Sequence, residues 1–71
     1  MTNKFAMDNF KLIIKEIEKM EAADQNIWVP IGILERMYED DFGLIDEYFH
    51  SEKTDRDCEK LYEMINGLLS F

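Results

Sequence analysis

Apolar residues recur at three- and four-residue steps through both ends of this chain, and that spacing limits what it can fold into more than any other feature. In FAMDNFKLIIKEIEKM the residues Ala6, Phe10, Ile13, Ile14, Ile17 and Met20 return in this way. At about 100° per residue they form one stripe along an α-helix, with Lys4, Lys11, Lys15 and Lys19 on the far side. Thr2 or Asn3 is placed to cap its start. Toward the other end Cys58, Leu61, Tyr62, Ile65, Leu68 and Leu69 form a narrower stripe, which predicts a helix running to about Ser70. Thr54-Asp55-Arg56-Asp57 reads as its start, a Thr cap followed by an acid at the third helical position, and Asp55, Asp57 and Glu59 suit the positive end of its dipole.

Between these helices EAADQN loses the period, and Asp24 and Asn26 favour a turn. Val29 precedes Pro30, so Ile27 to Val29 is expected to be an extended connector whose large side chains lid one end of the core. Pro30 then falls in the first turn of the next helix, where a missing N–H costs little. If residues 31–50 were one helix, Ile33, Leu34, Met37, Tyr38, Phe42, Leu44, Ile45, Tyr48 and Phe49 would cover about half its circumference. Glu35, Arg36, Glu39, Asp40, Asp46, Glu47 and His50 would take the other half, and Asp41 would project into the apolar side. An unpaired buried carboxylate there is strongly unfavourable. A break near Gly43, with one helix ending near Asp40 and another starting near Phe42, would turn Asp41 to solvent or make it a cap. The alternatives are a continuous helix with Asp41 paired to a Lys or Arg, and Asp41 as an exposed binding contact. The fold expected is all-α, a compact bundle of three to four short helices, as a single helical domain over residues 1–71.

A chain of 71 residues buries only about 60% of the surface its unfolded form exposes. Cys58 is the one cysteine, so no internal disulfide can assist, and stability must come from helix packing or association. The hydrophobic share of 46% is too high for a disordered chain. MTNKFAMDNF holds no apolar run of signal-peptide length, and no stretch approaches the ~18 apolar residues of a membrane span. With the lone cysteine, these features make the cytoplasm the expected location and a membrane an unexpected partner.

The formal net charge is −8, unevenly spread. Residues 1–20 hold four lysines against three acids, and residues 21–71 hold four basic residues against thirteen acids. Such a surface repels phosphate, so no direct nucleic-acid contact is expected, whereas a basic protein would be attracted and steered to it. The acids concentrate in YEDDFGLIDEYF, residues 38–49, interleaved with Tyr38, Phe42, Tyr48 and Phe49.

That stretch fails the tests for familiar chemistry. Gly43 at the sixth position of a calcium loop would put Tyr38 first, where a carboxylate is needed. Glu47-Tyr48-Phe49-His50 has the Glu-x-x-His spacing of di-iron bundles, but those need two such motifs and this chain has one His, which reads as a solvated residue at a helix end. Cys58 lies on a core stripe and reads as a structural thiol, and a Cys58–His50 pair would lack a third orienting group. A helix-turn-helix would present Glu35, Glu39, Asp46 and Glu47 to the groove, which is the wrong charge. No catalytic residue, metal site or cofactor is expected, and no enzymatic activity.

FKLIIKEIEKMEAADQN, residues 10–26, resembles the first helix of the colicin-nuclease immunity proteins. The resemblance implies a small acidic four-helix protein that blocks a basic nuclease. The Tyr-Tyr inhibitory pair of that family has no counterpart here beyond Tyr48-Phe49, and this chain is shorter.

Two functions from different classes follow. In the first, the protein binds and inhibits or regulates a basic partner protein, such as one that handles nucleic acid, in the manner of immunity proteins, antitoxins, phage anti-defence proteins and other DNA mimics. The residues expected at that contact are Glu35, Glu39, Asp40, Asp41, Asp46, Glu47, Tyr38 and Tyr48. Charge reversal at Asp40, Asp41 and Asp46 is expected to leave the fold intact. In the second, the protein is a homodimer or larger homo-oligomer joined through Phe42, Ile45 and Phe49, and the acidic face only keeps it in solution. The surplus apolar residues Phe5, Leu12, Trp28 and Phe71 leave room for either.

Overall fold

The computed structural model describes residues 4–69, with side chains described for residues 6–67. Four α-helices follow one another: α1 (Lys4–Ala22), α2 (Trp28–Met37), α3 (Leu44–His50) and α4 (Cys58–Leu69), with a single 3-10 turn at Lys53–Asp55 before the last. No strand occurs among the described residues. α4 packs against α1 and α3, and α3 against α2.

Each helix brings three buried apolar side chains to one core: Phe10, Ile14 and Ile17 from α1; Ile27, Ile31 and Leu34 at the head of and along α2; Ile45, Tyr48 and Phe49 from α3; Leu61, Tyr62 and Ile65 from α4. At one end Phe10 meets Tyr38 edge-on at 5.0 Å and Tyr62 at 5.2 Å. Such tilted and edge-to-face contacts add to the area each ring buries. The predicted stripes of α1 and α4 are therefore the core faces, with Ala6, Ile13, Met20 and Cys58 packed around them. Thr2, Asn3, Ser70 and Phe71 lie outside the described residues, as do the side chains of Phe5, Leu68 and Leu69.

Three local expectations change. Val29 is helical, not extended, because α2 begins at Trp28 and Pro30 is its third residue. Starting there puts Ile27, Ile31 and Leu34 on one side of the helix and buries all three, and that burial outweighs the bias of Val29 away from helix. The Asn26 side chain accepts the Trp28 N–H at 3.0 Å. Ile27 does close the core, but Trp28 and Val29 face outward. Thr54 does not cap α4. The helix starts at Cys58, and Asp57 is its cap, its Oδ1 accepting the Lys60 N–H at 3.1 Å. Finally, residues 31–50 do break, but the first helix ends at Met37 rather than near Asp40 and the second starts at Leu44 rather than near Phe42.

Arg56 lies in the segment just before α4. Its side chain is only 4% exposed. Its two terminal nitrogens hold the two Glu21 oxygens at 2.9 and 3.0 Å, and one of them also reaches Glu18 at 3.2 Å. The guanidinium donates to the Phe49 carbonyl at 3.0 Å and lies 5.4 and 5.1 Å from the Tyr48 and Phe49 ring centroids. A fork-to-fork pair of this kind fixes orientation as well as distance. It ties the segment after α3 to α1, and it satisfies a carbonyl that α3 leaves open at its C-terminus. Glu21 is held below the usual carboxylate range by its hydrogen bonds from Arg56.

Candidate protein-binding surface

The loop between α2 and α3 follows from one chain reversal. α2 ends in a Schellman motif: Glu39 adopts a left-handed conformation (φ 54°), the Asp40 N–H bonds to the Glu35 carbonyl at 2.8 Å, and the Glu39 N–H bonds to the Arg36 carbonyl at 3.3 Å. Gly43 (φ 66°, ψ 34°) then turns the chain into α3. The reversal folds the Asp40 side chain inward, where it is 7% exposed. Its Oδ1 accepts the Leu44 N–H at 2.9 Å and its Oδ2 the Ile45 N–H at 2.8 Å, which satisfies two of the open donors at the start of α3. Asp40, not Asp41, is thus the inward-facing acid, and Asp41 is exposed. Glu35 approaches the same turn, its Oε2 3.7 Å from where a Cβ on Gly43 would stand. Burial, with Asp40 and Asp46 nearby, pushes its carboxyl above the usual range.

The eight side chains expected at the contact therefore divide. Glu39, Asp41 and Glu47 are exposed, and Glu35 and Asp46 half-buried. None of Glu35, Glu39, Asp41 and Glu47 forms an ion pair among the described residues, and Asp46 reaches only His50, at 3.6 Å. Several acids elsewhere are matched: Glu59 by Lys11 at 2.8 Å, Glu16 by Lys19 at 3.1 Å, and Glu18 and Glu21 by Arg56. Asp40 is occupied as a cap. Tyr38 is half-buried against Phe10, and burial raises its phenol. Tyr48 is 9% exposed, and its phenol is pushed up to about 12, chiefly by burial and then by Glu18. Tyr48 is a core residue and Tyr38 is packed against the core, so neither presents a whole ring at the surface.

The expected apolar seam is corrected in the same way. Ile45 and Phe49 are 0% and 5% exposed, and Phe42 alone of the three stands out, at 74%. The apolar surface that is exposed runs along α2, through Val29, Ile33 and Met37 at 64%, 55% and 65%. The i, i+4, i+8 spacing of this ridge was visible in the sequence. It was obscured by reading Ile27 to Val29 as an extended connector, which takes Val29 out of the helix, and by grouping Ile33 and Met37 with the apolar half of residues 31–50. Beside the ridge is a cleft lined by Gly32, Glu35, Arg36, Glu39, Asp41 and the loop around Gly43.

Cys58 is not an activated thiol. The Cys58 thiol is raised to about 11, first by burial and then by Glu18, the reverse of what makes a nucleophile. His50 is exposed, stacks on Trp28 at 4.9 Å, and lies 2.9 Å from the Asp46 carbonyl through its Nδ1. Among the described residues no three His, Cys, Asp or Glu side chains are grouped to hold a metal ion, and no helix is long and apolar enough to cross a membrane. No family model, curated protein or solved structure matches the chain.

Proposed function

We propose that the protein is a non-enzymatic binding protein that docks its α2–α3 corner on a basic surface of a partner protein and so inhibits or regulates it. The observation that carries this is the pair of exposed carboxylates, Glu39 and Asp41, that line one cleft with Glu35, without ion pairs among the described residues, at the end of the helix that carries exposed apolar side chains; Glu47 is exposed on α3 and lines a separate groove with Arg56 and Lys60. Complementary charge accelerates encounter and selects the partner, and apolar contact within a charged rim supplies affinity. Glu35 and the nearby Asp46 extend the acidic rim, and Asp40 caps the turn between them, while Tyr38 and Tyr48 pack toward α1 and α4.

The test is a capture experiment from host-cell lysate at low and high salt, with the native chain beside the variant E39K/D41K/E47K. The expected result is a basic protein retained by the native chain, released by salt and lost with the variant, whose helical circular dichroism is unchanged. The same basic protein held equally by the variant would overturn the reading. The exposed ridge on α2 also favours a second reading, self-association through Val29, Ile33 and Met37. Sedimentation at increasing concentration decides it, since apolar association does not weaken with added salt.

A further inference from the structure

Gly32 stands in the middle of the ten-residue α2, where glycine is less favourable than alanine, and nothing in the fold requires it. A Cβ added there would meet no atom within 4 Å. Its exposed neighbours on the helix surface include Val29 and Arg36, and Val29 begins an adjoining apolar ridge with Ile33 and Met37, about 12 Å long at 1.5 Å per residue. Glu35, Glu39 and Asp41 wall the cleft that Gly32 opens into, with Arg36 as its one cation.

From this we infer that the Gly32 face of α2 receives a basic amphipathic helix of the partner, whose backbone comes close at Gly32. The apolar stripe of that helix covers Val29, Ile33 and Met37, and its flanking Lys or Arg side chains meet Glu39 and Asp41. The inference rests on the proposed basic partner and names the element that partner brings. A residue without a side chain lets two helices approach at the short end of their usual separation, which explains a glycine that is otherwise a disadvantage. Charge selects the occupant. A second copy would bring its own Glu39 and Asp41 to the same rim, on a chain of net charge −8, and be repelled; a basic helix is attracted.

The experiment uses the full isotope-labelled chain in about 150 mM salt, where exposed charges are screened beyond about 8 Å. It is titrated with a Leu/Lys peptide designed as an amphipathic helix, and separately with a scrambled peptide of equal charge that lacks the apolar stripe. The expected result is that amide shifts at Val29–Met37, Glu39 and Asp41 appear with the amphipathic peptide and are much weaker with the scrambled one. Gly32→Gln, which fits the open space and favours helix, should keep or raise the melting temperature yet weaken binding about tenfold or more. Met37→Lys, at an exposed position, should do the same if the glutamine variant proves unstable.

Shifts confined to Asp46 and Glu47, with Gly32→Gln binding as the native chain does, would overturn the α2 assignment and leave the basic-partner reading standing. Equal binding of both peptides would also overturn it. Failure of both basic peptides to bind would remove both readings, and concentration-dependent dimers mapping to Val29, Ile33 and Met37 would replace the basic helix with a second copy.

Discussion

The carboxylates of Asp40 and Asp41 leave the backbone one residue apart and meet opposite surroundings. Asp40 accepts two N–H groups at the start of α3 in a nearly buried position, while Asp41 faces solvent. Asp40→Ala should leave both donors open and destabilise the fold by about 2 kcal/mol, the upper end for a lost helix cap. Asp41→Ala should change stability by less than about 0.5 kcal/mol, as exposed substitutions usually do. Urea midpoints of the two variants give this comparison directly, and equal midpoints would show that the cap is not formed in solution. Charge reversal at Asp40 would break the fold, contrary to the expectation drawn from the sequence, so tests of partner binding belong at Glu39, Asp41 and Glu47.

At the scale of the element, α1 and α2 end alike. Each closes in a Schellman motif with an acidic residue in the left-handed position, Asp24 at φ 62° and Glu39 at φ 54°. For α1 the Gln25 N–H bonds to the Met20 carbonyl at 3.0 Å and the Asp24 N–H to the Glu21 carbonyl at 3.1 Å. A residue with a Cβ is strained there by roughly 1 kcal/mol, and glycine is not. Asp24→Gly should therefore raise stability by about 0.5–1 kcal/mol, read as a higher melting temperature. Gly32→Ala should do the same for the opposite reason, since its helical backbone gains propensity and the added methyl meets open space. A loss of stability in either variant would contradict the described backbone.

At the scale of the whole molecule, Arg56 joins elements that are distant in sequence, reaching Glu18 and Glu21 on α1 and Phe49 on α3. Small domains hold only about 0.05–0.15 kcal/mol per residue of net stability, so one such tie matters. Arg56→Met removes the charge and leaves two acids side by side. The expected loss is about 3 kcal/mol, the low end for breaking a buried pair, because Glu18 and Glu21 keep 34% and 21% side-chain exposure. That corresponds to a fall of roughly 12 °C or more in melting temperature. The pH dependence has a definite sign. Glu21 is lowered in the folded state from its ordinary value of 4.5, so the stability it contributes is present above that value and is lost as pH falls through the folded pKa. Melting curves of the native chain should therefore drop on acidification below about pH 4.5 more steeply than those of Arg56→Met. Parallel acid limbs would show that the pair does not form.

The spacing of apolar residues by itself determined that the chain is helical, where α1 lies, and that Leu61, Tyr62 and Ile65 of a last helix face the core, though not where that helix starts, because a period near 3.6 residues is a local property of the chain. A break in residues 31–50 was the reading the sequence favoured, since a continuous helix would have needed a Lys or Arg to pair Asp41. Three features were decided only by the tertiary structure: the choice of Asp40 as the cap, the burial of Tyr38 and Tyr48, and the enclosure of Arg56. Each depends on where a loop returns and which helix it meets. Adjacent acids look alike until a chain reversal sends one side chain inward. An arginine among acids looks solvated until two rings and two glutamates from other helices close around it. The same holds for α2, whose sequence shows two apolar ridges but whose packing alone decides that Ile31 and Leu34 are buried while Val29, Ile33 and Met37 remain outside.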